Sequence, residues 1–491
     1  MSLRHAPRTL RRAAAAGALF AVLIVAACQR QTPPAGAVGG GDVQYALKVL
    51  AAAPAQGFAP GSFGEQRLAQ LWSSKAAPDA TRDRRLHDAL IAYARAEHGL
   101  RIPRRAFLPE WGLTPPPYDA EGTLRQAIAA GRFRQWLDSQ PPASPRYRAL
   151  QDGYGRYLKI TAAGGWPMLT GGAGLKPGAR GPQVQALRQR LAFEDPQTGA
   201  YAPTYDAALA GAVARFQAAH GLPPTGAVDA QTLQALNVPA QARAAQIRAN
   251  LERLRWLPRE EPPTRVEVNS AAATFDYFVD GNPAMHMLAA AGKPGDETPI
   301  LASAIDSIVL NPPWNVPDSI AQAELLPKEA AQPGYLEAHG FKTSDDGQGS
   351  RLVQQPGPQS ALGLVKFNFP NSYSVYLHDT PSKAAFDRSQ RSVSHGCVRL
   401  EKAMAFAKLL LSSVPGWSAD RVDQVIASGE TTDVKLPRRV PVRLLYLTAF
   451  PDGGRIAFRP DVYGWDEKVL QLLDAPPPAG QVAEARAAAK G

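Results

Sequence analysis

The chain has 491 residues, room for about two to four domains at roughly 100–200 residues each. With 45% hydrophobic and 20% charged residues it is globular, which excludes fibrous and polytopic membrane classes. A surplus of 54 basic over 43 acidic residues leaves a charge of +11, favouring acidic partners, and only two cysteines, Cys28 and Cys397, exclude a disulfide framework.

The N-terminus carries Arg4, Arg8, Arg11 and Arg12 ahead of an apolar run from Ala13 to Ala27. That run is short for a membrane span, so residues 1–27 are an export signal. Its end, Val25-Ala26-Ala27-Cys28, resembles the lipobox of bacterial lipoproteins. The resemblance implies a lipid on Cys28, which becomes the mature N-terminus; an ordinary signal peptide before a chance cysteine is the alternative. Loss of residues 1–27 removes four arginines and no acid, taking +11 to +7. Cys397 is then left alone in an oxidising compartment, as a reactive group or an inert core thiol. Gln29, in place of an aspartate, leans the anchor towards the outer membrane, and the location is periplasmic.

Residues 28–60, rich in Gln, Pro, Gly and Ala, form an expected flexible tether. Over 61–170 the apolar residues Leu68, Leu71, Trp72, Leu86, Leu90, Ile91, Leu124, Ile128, Phe133 and Trp136 recur at helical spacing, predicting a helical scaffold without catalytic residues. In 175–237, Val184, Leu187 and Leu191, then Leu209, Val213 and Phe216, then Leu233 and Leu236 predict three short helices separated by Gly and Pro turns. "AVARFQAAHGLPPTGAVDAQTLQALN" within this unit resembles the three-helix peptidoglycan-binding domain of cell-wall enzymes; a generic helical linker is the alternative.

After a helix near 240–256, alternation in Val266-Glu267-Val268, Thr274 to Val279 and Tyr373 to Leu377 predicts strands, with a hairpin turn at Asp280-Gly281-Asn282. Residues 262–470 are therefore a mostly β domain, and 475–491 an Ala- and Pro-rich disordered tail.

The chemistry concentrates in Tyr373 to Thr380 and Ser392 to Leu400. Strand alternation puts Tyr376 and His378 on one face, imidazole beside phenol. A helical pattern from Ala403 places Cys397 about one turn before a helix N-terminus, which favours thiolate and predicts a lowered thiol pKa. A thiol nucleophile needs a base and oxyanion donors. His378 supplies the one, and backbone N–H groups in the His395-Gly396-Cys397 turn the other, with Gly396 clearing the approach to sulfur. A zinc site on His378, His395 and Cys397 is the competing arrangement, but its spacing matches no usual ligand pattern.

"HDTPSKAAFDRSQRSVSHGCVRL" resembles the signature of L,D-transpeptidases with a YkuD-type catalytic domain, and "VLNPPWNVPDSIAQAELLPK" (309–328) and "LGLVKFNFPNSYSVYLHDT" (362–380) are similar to its large, YcbB-like branch. Two departures stand out: Ser360 where that pattern has Asn, and weak similarity over 329–351. The resemblance implies an α+β architecture, with a helical scaffold and a three-helix wall-binding module ahead of the β domain. It implies that Cys397 attacks the carbonyl after the third residue of a tetrapeptide stem, releases D-alanine and forms a thioester, which the side-chain amine of a second stem resolves into a 3→3 crosslink. Water or a lipoprotein lysine is the alternative acceptor, and a wall-binding protein with an inactive catalytic-like domain is the alternative function.

Carried over by residue, Cys397 is the nucleophile, His378 the base, and His395 positions the thiol turn or the oxyanion. Arg399 holds a stem carboxylate or makes a surface salt bridge; Trp314 and Tyr376 line the donor groove or pack the core. The implied partners are peptidoglycan stems and glycan, a membrane through Cys28, and carbapenem-type β-lactams as covalent inhibitors. No cofactor, metal or nucleic acid is implied.

Overall fold

The computed structural model describes residues 38, 40–74, 79–198, 202–345 and 350–476. The expected export signal, Cys28 and most of the expected tail lie outside the described residues. None of the described helices is long and apolar enough to cross a membrane.

The tether expected over 28–60 is not extended where it is described. Residues Gly40–Ala51 form a helix, because Val43, Ala46 and Leu50 share one face and are buried in the N-terminal core. Phe58 and Phe63 follow, with rings 5.1 Å apart, and Phe63 also meets Tyr93 at 5.4 Å. Helices Asp79–Glu97, Ala120–Ala129, Phe133–Asp138 and Pro145–Ala162 complete the scaffold. Asp119 and Ser144 cap two of them, accepting from Gly122 N–H and Tyr147 N–H. The helix Ala240–Arg255 closes this core with a buried charge cluster: Arg255 pairs with Glu97 at 3.0 Å and Glu252 at 3.2 Å and donates to the Tyr147 hydroxyl at 2.7 Å.

The helices Pro182–Ala192, Ala207–Ala219 and Ala230–Leu236 enclose a separate small core of Val184, Leu187, Leu191, Leu209, Val213, Phe216 and Leu236. Buried Gln217 spans the turn that follows, accepting from Gly226 N–H at 2.9 Å and donating to Ala227 O at 2.7 Å.

The β domain contains β1 (Arg265–Asn269), β2 (Thr274–Val279), β3 (Asn282–Gly292), β4 (Leu301–Leu310), β5 (Trp314–Asn315), β6 (Phe341–Asp345), β7 (Ser350–Gln354), β8 (Val365–Asn368), β9 (Leu377–His378), β10 (Ser392–Ser394), β11 (Val398–Leu400), β12 (Thr432–Leu445), β13 (Ala449–Asp452) and β14 (Arg455–Phe458). The large sheet runs β10-β3-β11-β9-β8-β4-β12-β1-β2, and β3 also pairs with β2, so the ladder closes on itself. The helix Ala403–Leu411 packs into it, with the Phe406 ring 4.8 Å from Phe275 and 5.0 Å from Phe367. A small three-stranded sheet, β5-β7-β6, has its own core of Val316, Leu325 and Phe341, and forms a cap over one side.

Two boundaries differ from expectation. Of the strand expected over Tyr373 to Leu377 only Leu377 is strand, with His378 after it, because Asn371 bonds the N–H groups of Tyr373 and Val375 and holds that stretch in a turn. The domain expected to end at 470 does not end there: the helix Trp465–Asp474 buries Trp465, Val469 and Leu473 in the N-terminal helical core rather than among the large sheet's strands.

Candidate active site

Two adjacent ladders fix the reacting groups. Parallel pairing of β11 with β9 sets Arg399 beside His378, and antiparallel pairing of β9 with β8 sets His378 beside Lys366. Cys397 immediately precedes β11 and is half-buried. The expected helix N-terminus does not reach it, because β11 intervenes before the helix Ala403–Leu411 begins.

The turn carrying Cys397 is held from both sides: the Ser394 hydroxyl donates to Cys397 O at 2.5 Å, and Thr298 Oγ1 donates to Gly396 O at 2.8 Å. Gly396 has φ of +99°, and a Cβ there meets nothing closer than 3.5 Å. Its absence of a side chain answers the backbone conformation rather than crowding. Among the described residues the N–H groups of Gly396 and Cys397 donate to no protein atom, so both are free to face a carbonyl oxygen.

His378 is buried at 5% exposure. Its Nδ1–H donates to Asp379 O at 2.5 Å, and since a carbonyl only accepts, Nε2 keeps the lone pair that a base needs. Burial, with the charges of Arg399 and Lys366 added, lowers its pKa to about 3. Burial also pushes the Cys397 thiol above its ordinary value, against opposing contributions from the Tyr376 N–H and hydroxyl, Lys366 and Arg399. The lowered thiol pKa expected from the sequence is therefore not found. The resting pair is a neutral thiol and a neutral imidazole.

Tyr376 stands with its ring 5.6 Å from the His378 ring, edge to face, with Lys366 Nζ 4.1 Å above its own ring centroid. Burial raises its pKa, with the neighbouring Cys397 adding to the shift and the Trp314 side chain opposing it. The imidazole-phenol neighbourhood expected from strand alternation is present, although Tyr376 lies just outside the strand.

All these groups line one cleft of about 970 Å³ between the sheet and the cap. Trp314 lines it from β5 while packing on the cap core, its ring 6.4 Å from Phe341. Arg399 also faces it and makes no surface salt bridge: among the described residues it has no carboxylate partner, and its buried Nε donates to nothing. His395 Nε2 meets Glu324 Oε1 at 2.7 Å and Lys293 Nζ at 3.2 Å, which ties the turn carrying Cys397 to the cap. Among the described residues no three His, Cys, Asp or Glu side chains come together to hold a metal ion.

Three residues that sequence reasoning passed over bear on this site, and Ser360, left unexplained, sits between the cleft-lining Gln359 and Ala361. Asp379 orients His378 through its carbonyl, while its carboxylate accepts from Leu364 N–H at 3.0 Å and Lys383 Nζ at 2.6 Å. Gly363, with φ of +60°, makes that possible, because a Cβ there would sit 2.5 Å from Asp379 Oδ2. Glu324 lies in a π-helical turn, Ala321–Leu325, a backbone form recurrent at functional sites. Ser360 is buried with its hydroxyl unpartnered.

Comparison with known proteins bears on the same stretch. Residues 263–431 match the YkuD family model, described as an L,D-transpeptidase catalytic domain; residues 39–153 match a scaffold domain, and 180–236 a "Putative peptidoglycan binding domain". A curated relative from Haemophilus influenzae, named "Putative L,D-transpeptidase", is 34% identical over 261 residues, covering 49% of this chain and 53% of the relative. The chain thus spans about half the length of the curated relative it matches. Among solved structures, an L,D-transpeptidase from Mycobacterium smegmatis is 18% identical, with 37% of this chain and 58% of that chain covered and a TM-score of 0.20. L,D-transpeptidase 1 from Mycobacterium tuberculosis is 16% identical, with 37% and 61% covered and a TM-score of 0.17.

Proposed function

We propose that this chain, which carries an L,D-transpeptidase catalytic domain of the YkuD type together with a peptidoglycan-binding domain, is a transpeptidase that forms 3→3 crosslinks between peptidoglycan stems through a thioester on Cys397. The observation that supports it most is that Cys397 and His378 line one cleft, where His378 is buried with Nδ1–H donating to Asp379 O, which leaves Nε2 unprotonated.

Because both groups rest neutral, His378 Nε2 takes the thiol proton as sulfur attacks the carbonyl after the third stem residue. The N–H groups of Gly396 and Cys397 stabilise the oxyanion. Collapse breaks the amide bond, His378 returns the proton to the departing D-alanine amine, and the acyl group stays on sulfur. A side-chain amine of a second stem then attacks the thioester, gives its proton to His378, and leaves as an amide while the thiol is restored. Arg399, planar and unpaired, suits a stem carboxylate. Tyr376 and Trp314 wall the donor side, and His395 steadies the thiol turn through Glu324.

In this reading the protein is exported, held at a periplasmic membrane face by lipid on Cys28, with the outer membrane favoured, and acylated by carbapenem-type β-lactams at Cys397. Incubation with a purified disaccharide tetrapeptide, followed by muropeptide analysis, tests it. Released D-alanine and a 3→3 dimer, both absent with Cys397→Ala, are expected. A folded protein that binds wall but turns nothing over overturns the enzyme in favour of a wall-binding role, and a monomeric tripeptide or a lysine adduct replaces the second stem as acceptor.

A further inference from the structure

A second cavity, of about 410 Å³, lies between the three-helix module and the β domain, within the roughly 300–1,000 Å³ typical of ligand pockets. Three guanidinium groups reach its walls from three separate parts of the chain: Arg243, Arg391 and Arg459. None of them pairs with a carboxylate among the described residues. Arg391 donates to Arg388 O, Ala272 O and Ala273 O, Arg459 to Ala219 O and Phe458 O, and Arg243 to Ala235 O and the Gln246 amide oxygen. The buried Nε atoms of Arg243 and Arg391 donate to nothing.

Guanidinium groups buried without a salt-bridge partner are costly, since burial removes their water. Burial lowers Arg459 to about 10, with Asp452 opposing that shift and the neighbouring Arg391 charge adding to it, and burial lowers Arg243 to about 10 against the opposing charge of Glu194. Arg243 also lies 4.6 Å over the ring of Phe458, a buried side chain on which His220 stacks as well, and this holds the guanidinium in place. At the mouth, Gln231 and Gln234 are exposed amides able to meet hydroxyl and amide groups.

We infer that this cavity is a second binding site, for a carboxylate-bearing glycopeptide: guanidinium forks for the carboxylate, and the amides at the mouth for sugar and peptide. The choice of glycopeptide rests on the proposed peptidoglycan function; the anion site itself does not. Inorganic phosphate shares the charge but has no sugar or peptide to extend to the amides at the mouth. The site sits at the root of the segment that ends in the catalytic turn, because Arg391 immediately precedes β10.

The test uses the whole chain and a muramoyl tripeptide, which lacks the bond Cys397 would cleave, with affinity read by calorimetry. Cys397 acylation by a carbapenem, read by intact mass, reports the catalytic cleft in parallel. Expected are at least tenfold weaker tripeptide binding in Arg459→Gln and several-fold weaker binding in Gln234→Glu, an exposed change that leaves the core intact, with acylation unchanged in both. Unchanged binding in both folded variants overturns the site, and so does phosphate competing with the tripeptide at equal or better affinity. Loss of tripeptide binding in the variants, together with a wild type that no carbapenem acylates, sustains this site while removing the proposed transpeptidase.

Discussion

The helical core and the candidate cleft around Cys397 both bury charge, and they treat it in opposite ways. Around Arg255 each charge has a partner: Glu97 and Glu252 pair with the guanidinium, which also donates to the Tyr147 hydroxyl and Gln56 O. Around Cys397 the groups are left open: Arg399 lacks a carboxylate, the thiol and imidazole rest neutral, and two backbone N–H groups await an acceptor. Pairing gives a scaffold that resists change, because removing one partner strands the other. Leaving groups unpaired gives a cleft whose missing partners are those a bound carboxylate and carbonyl would bring.

That contrast can be broken from the cleft side first. Cys397→Ala is expected to abolish the covalent adduct with a carbapenem, seen as the absence of any shift in intact mass. Replacing His378 with Ala should slow acylation at neutral pH by roughly 10²–10⁴, the range of general acid–base groups, and near-normal rates would transfer the role to His395. From the scaffold side, Arg255→Ala leaves Glu97 and Glu252 uncompensated and should cost about 3–5 kcal/mol of stability, measured by denaturant unfolding.

A pH titration sharpens the comparison further. His220 and His378 are both lowered to about 3, chiefly by burial, so the unfolded chain takes up protons that the folded chain refuses between pH ~6.5 and ~3. Stability is fully present above the unfolded value and falls as pH drops, by at most about 1.4 kcal/mol per pH unit for each group. Thermal unfolding between pH 7 and 4 should show it, with a shallower slope in His378→Gln. The smallest effect belongs to Ser360: removing its unpartnered buried hydroxyl as Ser360→Ala should be neutral or stabilising by about 1 kcal/mol, whereas a clear loss of stability would mean the hydroxyl has a partner.

Local signals account for most of what could be anticipated. The helical periods, the Gly and Pro turns and the Ser-His-Gly-Cys run sit in contiguous sequence, so the scaffold, the three-helix module, Cys397 and His378 were all legible there. The helix at Gly40–Ala51 was missed because its glycines and the nearby Gln, Pro and Ala matched linker composition, while its stability comes from burying Val43 and Leu50 against distant helices. The thiol's protonation was misjudged because the strand inserted after Cys397 and the desolvation around it are tertiary effects. Asp379 acts through its carbonyl, which no side-chain pattern reveals, and Glu324 reaches His395 from 71 residues away.

The ladder pairings have one more consequence. His378 is held by β9 against β8 and β11, whereas the turn before Cys397 is held by β10 against β3. The peptide between them runs through exposed Asp387 and Arg388. The proposed base and nucleophile are therefore tied to each other through the ladder between β9 and β11, and continuity of the connecting chain does not set their spacing. A single tryptic cut after Arg388 should leave a two-piece protein that still folds as one body and still acylates, so the loop is a place where the polypeptide can be reopened, lengthened or fused without dismantling the site.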